Sequence, residues 1–178
     1  MKKLVLIVAC MLASAAAYAQ GTVNFSNYAP ASGVNAPIYY IDGVTKLAGT
    51  AYMAQLYAGI DAGSLAAVGD PLAFRTGAGA GFLVASSAPY TIPGIGGGAT
   101  ATLQVRAWEV ATGATWDAAQ VRGQSDTFQL ALGNAGQPPT PPADLVGLKS
   151  FNLAAIPEPS TIALGILGAG LLLIRRRK

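Results

Sequence analysis

The segment ATLQVRAWEV, residues Ala101–Val110, alternates apolar and polar side chains with a period of two. Leu103, Val105 and Ala107 fall on one side, and Thr102, Gln104, Arg106 and Trp108 fall on the other. Because successive side chains of a β-strand point to opposite faces of the sheet, this alternation predicts a strand with one side in the core. No window of the sequence shows a convincing amphipathic helix, so the pattern favours an all-β domain.

Short β-rich runs separated by Gly, Pro, Asn and Asp recur on both sides of this segment. The candidate strands are Thr22–Tyr28, Pro37–Ile41, Ala51–Ala58, Pro71–Arg75, Gly81–Ser86, Ala99–Ala111, Asp126–Leu132 and Gly147–Ala154. Alternation within Ala51–Ala58 suggests that both of its faces are covered, and in Asp126–Leu132 the apolar side chains align inward. The spacing predicts a single antiparallel β-sandwich of jelly-roll or immunoglobulin-like type.

Turn-forming residues separate these runs. Asp42-Gly43 predicts a hairpin turn, and Gly59–Gly63 predicts a second turn. The glycine-rich stretch Gly94–Gly98 predicts a flexible loop before the longest strand. One helical turn, with Thr115 as its cap, is expected over Thr115–Gln120.

The first 19 residues have the pattern of a cleavable signal peptide. Two lysines follow Met1, an apolar run follows them, and Ala17 and Ala19 fit the small-x-small rule of signal peptidase. Cleavage there leaves Gln20 at the new N-terminus. A lipoprotein signal at Cys10 is the alternative, but Cys10 comes too early to leave a full apolar region before it.

The chain closes with an apolar run, Ser160–Ile174, and a basic cluster. The cluster consists of Arg175, Arg176, Arg177 and Lys178. A helix of this length spans roughly 22 Å, against about 30 Å for the hydrocarbon core of a bilayer. The basic cluster predicts a transmembrane helix with its end in the cytoplasm and the bulk of the chain outside. A permanent anchor and a transient sorting signal both fit this pattern.

Pro157, Glu158 and Pro159 precede the apolar run, so motif, helix and basic cluster follow one another in order. This tail resembles the PEP-CTERM sorting signal of Gram-negative bacteria. The resemblance implies export, transient anchoring in the inner membrane, and delivery to the cell surface or beyond. It also implies that an exosortase-type protease recognises Pro157, Glu158 and Pro159 and removes the tail.

Three internal stretches are similar to small PEP-CTERM proteins of the Verrucomicrobia kind. They are Gln55–Gly59, Phe74–Gly77 and Gln104–Trp108. That group has no established activity, so this resemblance implies a lineage and no function.

Charge and composition exclude several kinds of function. Between Gln20 and Ile156 there are five basic and seven acidic residues, a net charge of −2, so the basic pI comes from the two ends. Scattered cations on a mildly acidic body argue against nucleic-acid binding. The sequence has no His, and its one Cys lies in the signal peptide. Zinc sites of the Cys/His kind and His-dependent nucleophilic catalysis are therefore excluded.

The acidic residues give weak signals for chemistry. No D-x-[DN]-x-[DN]-G loop is present, so calcium binding is not favoured and no metal or cofactor is expected. Asp42, Asp61, Asp70 and Asp126 lie beside turns or strand starts, where capping is the usual role. Glu109 could be a buried catalytic acid, but a place at the strand end, paired with Arg106 or Arg122, is the more common arrangement.

Aromatic residues offer one candidate ligand site. Trp108, Trp116, Tyr39, Tyr40 and Tyr57 could form a platform on which sugar rings stack. Packing between two sheets is the alternative role for these rings.

Together these patterns predict three segments: a signal peptide at 1–19, an exported β domain at 20–156 and a sorting signal at 157–178. The favoured function is that of a non-enzymatic surface or extracellular-matrix protein associated with exopolysaccharide. The alternative is a carbohydrate-binding module that uses exposed aromatic residues near Trp108, with Trp116 as a second stacking ring.

Overall fold

The computed structural model describes residues 20–136 and 138–157. This part of the chain is all-β, as predicted, and its helical elements are three short 3-10 turns. They span Pro30–Ser32, Gly77–Gly79 and Val110–Thr112. None of the helical segments in these residues is long and apolar enough to cross a membrane. The expected signal peptide and the apolar run Ser160–Ile174 with its basic cluster lie outside the described residues.

Twelve strands follow one another along this part of the chain. The first six are β1 (Gln20–Asn24), β2 (Tyr28–Ala29), β3 (Val34–Asn35), β4 (Gly49–Gly59), β5 (Ala66–Phe74) and β6 (Tyr90–Gly96). The last six are β7 (Thr100–Glu109), β8 (Val121–Gln124), β9 (Phe128–Ala131), β10 (Gly133–Asn134), β11 (Ala143–Asp144) and β12 (Ala154–Ala155).

The strands form two main sheets and a small hairpin. The large sheet has the order β12-β8-β7-β4-β5, and β9 also pairs with β7; all of its pairings are antiparallel. In the small sheet, β1 pairs antiparallel with β6 and β10 and parallel with β11. Strands β2 and β3 pair only with each other. The parallel contact is the one departure from the expected antiparallel arrangement among these strands.

Strand β7 is the centre of the large sheet, and its inward side chains are those that the alternating sequence predicts. It pairs with β4 over eight residues, from Tyr52↔Glu109 to Gly59↔Thr102. Leu103, Val105 and Ala107 are all 0% exposed and belong to one core cluster with residues from the small sheet, Val23 and Ile92 among them. Burying each large apolar side chain contributes about 1.5–3 kcal/mol, so the inward side of β7 is a main source of stability.

Three candidate strands are shorter in the structure than their sequences suggest. Pro37–Ile41 and Gly81–Ser86 contribute only isolated bridges, through Tyr39 and Leu83. Gly147–Ala154 is reduced to a bridge at Asn152 and the start of β12. These segments do not form long runs of strand pairing. Hydrogen bonds to side chains and to single backbone groups hold them in place instead. Asn27, for example, bonds to the backbones of Ala36, Gly81 and Leu83.

Five strands lie where the sequence predicts none: β3, β6, β8, β10 and β11. Strand β6 includes Gly94, which was expected to begin a flexible loop, and β8 has no apolar alternation. Gly94 has a φ of +75°, a backbone conformation that glycine adopts without strain. The expected turns are confirmed: Gly43, with a φ of +67°, donates to the carbonyl of Tyr40, and Ser64 donates to that of Asp61.

Candidate functional site

The outer side of the large sheet carries a layered group of four side chains. Tyr57 comes from β4, Arg106 from β7, Arg122 from β8, and Trp116 from the segment 110–120 that joins β7 to β8. We call Tyr57, Arg106, Trp116 and Arg122 the aromatic–arginine stack. The register of the sheet places Tyr57, Arg106 and Arg122 near one another, because Tyr57 pairs with Gln104 and Arg122 pairs with Trp108.

Guanidinium groups lie over both aromatic rings of the stack. The guanidinium carbon of Arg106 is 3.9 Å from the ring centre of Tyr57 and 4.4 Å from that of Trp116. The guanidinium carbon of Arg122 is also 4.4 Å from the Trp116 ring. Each distance is within the range of a favourable cation–π contact. Trp116 therefore contacts two cations at once.

Hydrogen bonds hold the segment 110–120 against strand β8 of the large sheet. Trp116 Nε1 donates to the carbonyl oxygen of Gly123 at 2.9 Å. Arg122 Nη1 donates to the carbonyl oxygens of Trp116 at 2.7 Å and Asp117 at 2.6 Å. The turn at Thr115 is closed through its backbone carbonyl, which accepts from the amides of Ala118 and Ala119. The expected helical turn at 115–120 is thus present as a hydrogen-bonded turn and not as a helical element, and the Thr115 backbone, not its side chain, closes it.

The expectation for Trp108 needs a correction. Its side chain is only 2% exposed, so it does not present a ring to a ligand, and the predicted exposed platform at Trp108 is wrong. Thr102 and Gln104, on the same side of β7, are buried as well. Trp108 Nε1 is buried and has no hydrogen-bond partner within residues 20–136 and 138–157. Trp116, by contrast, is half-buried and keeps part of its surface in solvent.

The other aromatic residues of the predicted platform are not part of the stack. Tyr40 makes an edge contact with Tyr52, with ring centres 5.9 Å apart, and Tyr52 packs against the core cluster. Burial, and then the charge of Glu109, raise the pKa of Tyr52 above its ordinary value. Of the five rings named from the sequence, Tyr57 and Trp116 are the two that contact the same arginine.

Gln104 orients the guanidinium of Arg106. Its amide nitrogen donates to the carbonyl oxygen of Ser125 at 3.1 Å, which directs its amide oxygen to accept from Arg106 Nε at 2.8 Å. Ser125 Oγ in turn accepts from the backbone amide of Val105. The buried residues Ser125 and Gln104 thus fix the position of Arg106 through hydrogen bonds.

Glu109 is not paired with either arginine. It lies half-buried at the end of β7, opposite Tyr52, whereas Arg106 and Arg122 contact Trp116 on the other side of the sheet. The expectation of an ion pair with Arg106 or Arg122 is therefore wrong, because the strand alternation separates the groups.

Two of the aspartates act as turn caps, as predicted. Asp42 accepts from the backbone amides of Val44 at 3.0 Å and Thr45 at 2.8 Å and from the Thr45 hydroxyl. The hydrogen bond from the Thr45 hydroxyl is the main cause that lowers the pKa of Asp42. Asp61 accepts from the amide of Gly63 at 2.9 Å. In the described part of the chain, no group of three or more acidic side chains could hold a metal ion.

The β domain continues directly into the C-terminal tail. Strand β12 pairs with β8 through Ala154↔Arg122 and Ala155↔Val121, and the amide of Ile156 donates to the carbonyl of Gln120 at 2.7 Å. Pro157 is the last described residue; Glu158, Pro159 and the basic cluster lie beyond it. The chain is therefore tied to the sheet up to the residue before Pro157.

Comparison with known proteins identifies the tail. Residues 155–178 match the family described as the PEP-CTERM protein-sorting motif. No curated protein and no solved structure gives a significant match to the chain. The chain thus carries a PEP-CTERM signal, which marks an exported protein that is sorted to the cell envelope or surface and processed by an exosortase-type enzyme.

Trp116, Tyr57 and Arg106 are candidate residues from the sequence, but no pattern in the sequence places Arg122 in one site with them. The alternation of β7 was sufficient to place Gln104 and Arg106 on one side. Strand β8 gives no such signal, because Val121–Gln124 is four residues long and has no apolar alternation. The pairing of Arg122 with Trp108 became visible only from the register of the sheet.

Proposed function

We propose that this chain is a non-enzymatic cell-surface or extracellular-matrix protein that associates with exopolysaccharide. The observation that supports this most is the sorting signal joined directly to a small β domain with few charges. Sparse charge gives a surface with weak self-repulsion, which suits association with a polymer matrix. The sequence of the domain offers no His or Cys for nucleophilic or metal-dependent chemistry.

The route to the surface follows from the two ends of the sequence. We propose that signal peptidase cleaves after Ala19, and that the helix over Ser160–Ile174 then holds the protein in the inner membrane of a Gram-negative cell. In this proposal the basic cluster, Arg175–Lys178, keeps the C-terminus in the cytoplasm. Recognition of Pro157, Glu158 and Pro159 by the exosortase-type enzyme then ends the anchored stage.

The β domain is proposed to be a sandwich of the large and small sheets, occupying residues 20–156. The sharing of one core cluster by Leu56 and Val105 of the large sheet and Val23 and Ile92 of the small sheet supports this arrangement. In a sandwich, the inner faces of two sheets supply the core and leave the outer faces for other contacts. The aromatic–arginine stack lies on such an outer face.

A carbohydrate-binding module is the second candidate. The half-buried rings of Tyr57 and Trp116, with the polar side chains around them, favour it. Trp108 has no part in this version, since its ring is buried. A module of this kind would recognise defined sugars, whereas a matrix protein associates with the bulk polymer.

Recovery of the protein with its host's exopolysaccharide tests the main proposal. The full-length gene is expressed in the native host, and the extracellular material is separated by size before and after digestion of the polysaccharide. We expect the protein to elute with the polymer and to shift to the size of a free protein after digestion. Elution as a free protein before digestion would contradict the proposal. Binding to one defined glycan on an array, and not to the bulk polymer, would favour the module.

A further inference from the structure

The aromatic–arginine stack concentrates positive charge on a body that is otherwise acidic. Residues 20–156 carry a net charge of −2, yet two of their five cations, Arg106 and Arg122, contact the same indole ring. Like charges held at short range repel one another. Arg122 Nη1 donates its hydrogen bonds to backbone carbonyls, which are dipoles and do not neutralise its charge.

The outer end of Arg106 remains free to bind an anion. Its Nε is used by Gln104, and its two terminal nitrogens have no hydrogen-bond acceptor in the described ranges. A guanidinium carries five N–H donors in a planar fork, so Arg106 retains the pair that suits a carboxylate. The stacking of Tyr57 and Trp116 on Arg106 fixes the plane of this fork in advance, which lowers the entropy lost on binding.

We propose that the aromatic–arginine stack binds the carboxylate groups of an acidic polysaccharide, such as a polymer of uronic acids. This rests on the proposed association with exopolysaccharide and names the chemistry of its ligand. The terminal nitrogens of Arg106 bind one carboxylate oxygen each, and the charge of Arg122 adds attraction across the Trp116 ring. The exposed part of Trp116 contacts an apolar face of the same sugar.

A membrane surface fits the stack less well. An anionic bilayer attracts basic residues in clusters of four to eight, and each adds about the same small increment of binding. Here two arginines are half-buried in a domain of net negative charge, so a charged plane would repel most of the surface. A single oriented guanidinium is instead suited to one carboxylate at a time.

Binding to three immobilised or suspended surfaces tests the proposal. They are polygalacturonate, neutral dextran, and vesicles containing phosphatidylglycerol. The wild-type protein and three variants, each made from the full-length gene in the native host, are compared. Arg106→Gln removes the fork and its charge, Arg106→Lys retains the charge alone, and Lys149→Gln removes one charge from an exposed loop position outside the stack. Tryptophan fluorescence is recorded with each titration, because a ligand on the stack alters the surroundings of Trp116.

We expect the wild-type protein to bind polygalacturonate, with a fluorescence change, and dextran much more weakly. Arg106→Gln should weaken the binding about tenfold, as the loss of one charge-assisted hydrogen bond does. Arg106→Lys should weaken it less, and Lys149→Gln should leave it within about twofold, since an isolated surface charge contributes little. If Arg106→Gln does not fold, the lysine variant and the salt dependence of wild-type binding decide the result.

The outcomes separate this site from the broader proposal. Equal binding of wild-type protein and Arg106→Gln to polygalacturonate overturns the site, while recovery with the host polymer leaves the matrix role in place. Equal affinity for dextran and polygalacturonate overturns the choice of an acidic ligand. Binding to the vesicles without binding to polygalacturonate overturns the proposal in favour of a lipid surface.

Discussion

Asn27 shows how much of this fold depends on one polar side chain. It is 0% exposed, and its amide nitrogen donates to the carbonyls of Ala36 and Gly81, each at 2.8 Å. Its amide oxygen accepts from the amide of Leu83 at 2.8 Å. Asn27 thereby supplies the backbone partners that the segments around Ala36 and Leu83 would otherwise find in longer strands.

Replacing Asn27 by Ala should destabilise the domain severely. The Ala36 carbonyl and the Leu83 amide lose their partner, whereas the Gly81 carbonyl still accepts from the amide of Ile38. Each unsatisfied group costs about 1–3 kcal/mol, so we expect a loss of about 2 kcal/mol or more. Urea unfolding measures the change in the free energy of unfolding. Asn35→Ala, at an exposed position of β3, is the matched control and should change it by less than about 0.5 kcal/mol. A loss below about 1 kcal/mol for Asn27→Ala would contradict this role.

The raised pKa of Tyr52 predicts that the domain loses stability at alkaline pH. Burial, then the charge of Glu109, raise its pKa above the ordinary value of 10.0, so the folded state favours the neutral phenol. Its contribution to stability is complete below the unfolded pKa and is lost as pH rises through the folded pKa. Tyr52→Phe should therefore reduce the fall in the urea midpoint between about pH 8 and about pH 11.

Tyr28→Phe is the matched control for this titration, because Tyr28 is exposed. Its urea midpoint should fall with pH as steeply as that of the wild-type protein. If the curves of Tyr52→Phe and the wild-type protein run parallel, ionisation of Tyr52 does not contribute to the alkaline loss. Tyr90, whose pKa is raised by burial and then by Asp70, would be the next residue to replace.

At the scale of the elements, β8 connects the stack, the centre of the large sheet and the start of the tail. It pairs with β7 on one side and β12 on the other. Gly123 of β8 packs against the backbone of the segment before the tail. A Cβ added at Gly123 would lie 2.3 Å from the carbonyl oxygen of Asn152. Since that atom belongs to the backbone, a side chain at 123 could be accommodated only by separating the strands.

Gly123→Ala should therefore destabilise the domain and loosen the segment that leads to the tail. Overpacking of this kind costs about 1–3 kcal/mol. Limited proteolysis near residues 152–157 should become faster, and the urea midpoint should fall. Gly63→Ala, whose added Cβ would meet nothing closer than 3.4 Å, should behave like the wild-type protein. Unchanged proteolysis in Gly123→Ala would show that β8 does not hold this segment.

The elements that sequence alone could predict are those with strong alternation. Strand β7 and its partner β4 have a period of two over most of their lengths, because alternate side chains of both strands belong to the core cluster. Strand β6 contains Pro93, Gly94 and Gly96, residues that normally mark loops, so its pairing with β1 had no local signal. The burial of Trp108 could not be predicted either, because its position in the β7 alternation is on the side where Arg106 stays half-buried.

At the scale of the whole molecule, the positive and negative charges have separate roles. Six of the eleven basic residues lie in the two terminal segments, where we propose that they orient the chain in export, and the domain between them is acidic. The sorting signal was recognisable from sequence because its three parts are contiguous. The candidate ligand site was only partly recognisable, because its members come from β4, β7, β8 and a connecting segment.

The junction between domain and tail limits how the protein can be processed. The chain is bonded to the sheet up to Ile156, and the matched sorting signal begins at residue 155. We therefore propose that the processing enzyme works close to the folded domain. A chain with Glu158→Ala should retain its tail, because Glu158 belongs to the recognised motif, and it provides the control for the test that follows.

Intact mass of the protein from its native host tests the central claim, that the tail is a sorting signal removed during export. The account predicts a chain that begins near Gln20 and lacks Arg175–Lys178, alongside an unprocessed C-terminus in the Glu158→Ala variant. A wild-type protein at the cell surface whose mass still includes Arg175–Lys178 would contradict it.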